Sequence, residues 1–134
     1  MKIRKIQICI MLIVGLGIST ELLSHSDHSK NIHIKAIAEI LLKMNHFPND
    51  QEKQSLSDII ENEHSTDSEK AISMAIMNIQ HKIGESDRQP LESIVSDEES
   101  SGAVKNLAKS VLNFNHSVDQ ADERKLQMIV FKGS

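Results

Sequence analysis

His46, His81 and His116 stand 35 residues apart, each directly behind an amide residue: Asn45, Gln80 and Asn115. An imidazole in such a place can do two kinds of chemistry. It can ligate zinc or copper through a ring nitrogen, or it can bond the unpaired carbonyls at the end of a helix. The recurrence favours the second, because a group that appears once per unit serves the unit. Six positions after each histidine comes an acid, Glu52, Asp87 and Asp122, near the start of the next helical segment, where negative charge suits the helix dipole. The expectation is an imidazole–carboxylate clamp across each turn: His46 with Glu52, His81 with Asp87, His116 with Asp122. As a metal site the set is expected to be poor. Packed helices lie about 8–10 Å apart and a Zn–N bond is about 2 Å, so in a row of stacked units two neighbouring histidines can share an ion but three cannot.

The metal ligands expected instead are His25, Asp27, His28 and His33, where "HSDH" (25–28) could wrap an ion. A cleavage after Ser24 would also leave His25 able to chelate through its amine and ring. His64, between Glu63 and Asp67, reads as a loop residue. No set converges on catalysis. There is no glycine-rich phosphate loop, no Gly-x-Ser-x-Gly elbow and no His-Glu-x-x-His pair, and none of the 17 serines is distinguished as a nucleophile. Neither an enzyme nor a bound cofactor is expected.

The elements that carry the histidines are legible from the same 35-residue period. Counting back from each histidine, position −11 is Lys35, Lys70 and Lys105, a solvated edge; −9 is Ile37, Ile72 and Leu107; −5 is Leu41, Ile76 and Val111; −2 is Met44, Ile79 and Phe114. Counting forward, +10 is Leu56, Leu91 and Leu126, and +13 and +14 are Ile59-Ile60, Ile94-Val95 and Ile129-Val130. Steps of three and four make amphipathic helices. The first helix of each unit, with the broader apolar face, is expected over 34–45, 69–80 and 103–115, and the second over 50–62, 87–97 and 120–131. Met44, Met74, Met77 and Met128 fall at or beside core positions, where packing accounts for them. Pro90 would cost about 3 kcal/mol inside a helix, so the second unit's second helix is expected to start late, with Ser86 or Asp87 as its cap, and to be the shorter for it.

Three helical hairpins of this length resemble tetratricopeptide repeats in size and helix count, while the Trp, Leu-Gly and Tyr landmarks of that family are absent. The expected fold is all-α: three tandem hairpins, six helices, stacked as a short solenoid or packed as a compact bundle. In a stack the middle unit would be the most deeply buried, with Leu91 and Ile76 better covered than Leu126 and Val111.

Residues 1–19 have the layout of a secretory signal peptide, with Lys2, Arg4 and Lys5 ahead of an apolar run from Ile6 to Ile18 and small residues at its exit. The run is too short for a spanning helix, which takes roughly 18 or more apolar residues, so no stable membrane insertion is expected after cleavage. Residues 20–32 read as a flexible lead-in and 33–134 as one domain, in the periplasm or secreted. Cys9 lies in the leader and is the only cysteine, so the mature chain would have no disulfide. Losing the leader takes the net charge from −4 to −7, which together with the absence of Trp and Tyr argues against nucleic acid as a partner. The function expected from architecture is binding of a protein or peptide along a stacked-helix surface; the alternative is a periplasmic zinc- or copper-binding protein.

Overall fold

The computed structural model describes residues 24–132, with side chains from residue 32 onward, and the leader therefore lies outside the described residues. Six helices follow one another: α1 (Ser24–Lys43), α2 (Asp50–Glu61), α3 (Asp67–Met77), α4 (Glu85–Ser96), α5 (Gly102–Asn113) and α6 (Gln120–Lys132). There are isolated β-bridges but no strand among the described residues, and no helix among them is long and apolar enough to cross a membrane.

The caps are local and explain most of the boundaries. Asn49 and Glu52 form a reciprocal capping box at α2, and Thr66 and Glu69 form one at α3. Ser101 accepts from the Val104 amide at α5, and Asp119 accepts from the Asp122 amide at 2.8 Å at the start of α6. Two helix starts depart from expectation in ways that bear on the fold. Helix α1 begins at Ser24 rather than near Ile34, so much of the segment read as a lead-in is helical; no glycine or proline interrupts residues 24–43. Helix α4 begins at Glu85, is as long as α2, and holds Pro90 inside it. Pro90 and Ser86 are both exposed, so the Ser86 carbonyl that loses its helical donor is open to water, which removes part of the usual cost.

The hairpins do not line up in a row. Helices α1, α3 and α5 pack on one another around a common axis, and each second helix packs chiefly on the first helix of the next hairpin: α2 on α3, α4 on α5, and α6 back on α1. That last contact closes the set into a ring with approximate threefold symmetry, the compact alternative of the two expected packings. Burial follows the ring. Leu41, Ile76 and Val111 are fully buried, and so are Leu56, Leu91 and Leu126, each at 0 % exposure. The middle unit is therefore no deeper than its neighbours, contrary to the order expected of a stack, because closure leaves no unit with a free end.

One buried charge helps to hold the third hairpin. The Asp122 carboxylate is 2 % exposed, accepting from Lys125 Nζ at 2.8 Å and Asn113 Nδ2 at 3.0 Å. Burial alone would push its pKa up, but the hydrogen bonds from Lys125 and Asn113 more than offset this and hold it below the ordinary carboxylate value of 3.8. A carboxyl group whose pKa is depressed by folding contributes stability that is present above its unfolded pKa and lost as pH falls through its folded one. Asp122→Ala should therefore cost about 1–3 kcal/mol at pH 7. Denaturant melts should show the gap from wild type closing below about pH 4.

Candidate functional site

The turns that join the two helices of each hairpin meet on the axis of the ring, at one end of the bundle. His46, His81 and His116 form that meeting point. The His81 amide donates to the His46 carbonyl at 2.8 Å, the His116 amide to the His81 carbonyl at 2.6 Å, and the His46 amide to the His116 carbonyl at 2.6 Å. These three bonds form a closed cycle of backbone hydrogen bonds with one histidine from each hairpin.

The conformation that allows this is unfavourable for side chains. His46, His81 and His116 have φ of 70°, 79° and 67°, and they are the only non-glycine residues with positive φ among those described. At His46 the chain turns so sharply that the Phe47 amide donates to the Asn45 carbonyl, two residues back, at 2.9 Å. Such backbone costs about 1–3 kcal/mol per residue. Glycine would adopt it without that strain. A position where the backbone alone favours glycine carries an imidazole in all three hairpins.

The three rings converge. Their centroids are 5.3 Å apart for His46 and His81, 4.9 Å for His46 and His116, and 5.2 Å for His81 and His116. One nitrogen from each can be chosen so that all three lie within 4.8 Å of one another. The rings lie closer than the spacing of stacked helices on which a shared ion was expected to reach only two histidines, because they approach along a closed axis rather than along the edge of a row. Tetrahedral zinc with bonds of about 2 Å needs nitrogens roughly 3.3 Å apart. An inward shift of about 1 Å by each ring reaches that spacing.

The expected imidazole–carboxylate clamps are replaced by amide ones. Asp87 accepts from Asn78 Nδ2 at 3.2 and 3.3 Å, and Asp122 from Asn113 in the same way. The donor is thus the residue three before the histidine. In the first hairpin Lys43 holds that position, and Glu52 turns instead to the Asn49 amide at 2.8 Å. In the second and third hairpins the carboxylate ties helix to helix, in the first it caps α2, and in all three the imidazoles are left to one another. Asn78 and Asn113 already agree at the 35-residue period, but Lys43 breaks the triple and hides the signal.

The other sequence candidates all lie on α1. His25, Asp27 and His28 are on the first turns of α1, and their side chains lie outside the described residues. His33 is engaged in the packing between α1 and the α2–α3 connection. Its Nδ1 is 3.1 Å from Ser65 Oγ and 3.7 Å from Glu69 Oε2, and its Nε2 is 3.4 Å from Asn62 Nδ2. That ring bridges two elements and is not presented as a free ligand. Compared with protein-family models, with curated proteins and with solved structures, the chain shows no match.

Proposed function

We propose that the protein binds one divalent transition-metal ion of the zinc and copper class through His46, His81 and His116. The observation that carries this is the convergence of three imidazoles from strained, positive-φ corners held by their own backbone cycle. Imidazole suits zinc, copper and nickel rather than calcium or magnesium, and no carboxylate joins the cluster among the described residues. With the leader-like residues 1–19, the reading is of an exported metal-binding protein without catalytic residues.

Equilibrium dialysis against zinc and copper should show one ion per chain. His81→Asn keeps a side chain that tolerates positive φ and should weaken binding at least about tenfold, by loss of one ligand of three. His33→Ala, which alters packing away from the triad, should leave the stoichiometry at one. Unchanged affinity in His81→Asn would end the proposal.

A second reading, binding of a protein or peptide, is supported by the opposite end of the bundle. There Ile32, Met128 and Phe131 are exposed beside a cleft lined by Ile34, Met128 and Ile129, with Lys125 and Lys132 also on its walls. A partner held there would be indifferent to His81→Asn.

A further inference from the structure

We infer that the three-histidine site is an open one, built to hold its ion for transfer to an acceptor by ligand exchange, and not a permanent structural centre. This rests on the metal-binding reading above. Five observations lead to it.

The protein supplies three donors where a zinc-class ion ordinarily takes four in a closed structural site. The acids that could have completed the set are committed elsewhere: Glu52 to the Asn49 amide, Asp87 to Asn78, and Asp122 to Asn113 and Lys125. The fourth position is left to solvent. His81 and His116 are themselves exposed, with His46 half-buried, so the ion would lie at the surface and not beneath a lid.

The rings also lack braces. Metal-binding histidines usually donate their second ring nitrogen to a carboxylate or carbonyl, and losing that partner typically costs 10–100-fold in affinity. Among the described residues the hydrogen bonds to histidine rings are those of His33, and none ends on His46, His81 or His116. The ligands are free to swing off one at a time.

The backbone beneath them is fixed by contrast. The cycle of amide-to-carbonyl bonds ties the three corners directly to one another through the backbone, and the rings reach ligand spacing by small rotations of their own. A preformed backbone with unbraced side chains and an open coordination position favours quick loading and quick release. In the exchange a donor atom of the acceptor bonds to the ion as its water leaves, and the histidine nitrogens then dissociate in turn, with no change of oxidation state.

The test is a stopped-flow transfer of zinc from the singly loaded protein to the chromophoric chelator 4-(2-pyridylazo)resorcinol. If the site is open, the rate rises in proportion to chelator concentration, because the chelator attacks the bound ion. The cobalt-loaded protein should likewise change its visible spectrum on addition of azide, which takes the fourth position. A transfer rate independent of chelator, with binding still at one ion per chain, would overturn the open site while leaving the metal-binding reading intact. Absence of any bound ion in equilibrium dialysis would overturn both.

Discussion

Ile76→Ala should destabilise the domain by about 2–5 kcal/mol, and Leu41→Ala should cost about as much in a denaturant melt. Both side chains are fully buried, at equivalent positions on α3 and α1. In a row of hairpins the middle position would be the costlier of the two, since only the middle unit is covered on both sides. In a closed ring each first helix meets the other two and also a second helix from the preceding hairpin. The costs should therefore be similar, and each is a large part of the roughly 5–15 kcal/mol that keeps a domain folded. A loss at Ile76 several times that at Leu41 would mean that the ring is open in solution.

Removing residues 117–134 should abolish the monomeric, cooperative fold. The deletion takes away α6 and with it Leu126, which is fully buried. It also uncovers α1, the helix on which α6 chiefly packs, at the far end of the sequence. The measurement is light scattering together with thermal unfolding of the truncated chain. Aggregation, association or loss of a cooperative transition is the expected result. A monomer of unchanged stability would show that α6 is not part of the core.

Much of the local structure is legible in the period of 35. The apolar steps that align Ile37 with Ile72 and Leu107, and Leu56 with Leu91 and Leu126, predict six helices, and five of the six start within two residues of expectation. The exception is α1, whose start at Ser24 lies in a polar stretch with no apolar periodicity to betray it. The arrangement of the units is another matter. Whether three hairpins form a row or a ring depends on the rotation from one to the next, and that rotation is set by how all three inner helices pack together. The repeat is compatible with either.

The histidine site was hidden for that same reason. One imidazole per unit reads as a ladder if the units translate and as a cluster if they turn about an axis. Nor does the sequence pattern announce positive φ at His46, His81 and His116, because the residue that usually marks such backbone is glycine. Of the three acids expected to clamp the turns, Asp87 and Asp122 close theirs onto Asn78 and Asn113, while Glu52 bonds the Asn49 amide of its own helix start.

The return of α6 onto α1 puts the packing out of phase with the sequence repeat by one helix. Each hairpin donates its second helix to the next, as in a domain swap, and the last donates to the first. The array has no beginning that packing can recognise. A circular permutant that joined the end of α6 to the start of α1 by a linker and opened at the 62–65 connection or at 97–100 would keep every helix pair of the native ring. The same logic makes one hairpin of about 35 residues incomplete by itself, with its second helix lacking the surface it covers. Three separate copies could supply that surface to one another, and they would bring their histidines to a true threefold axis. The fold is thus a trimer of hairpins written as a single chain.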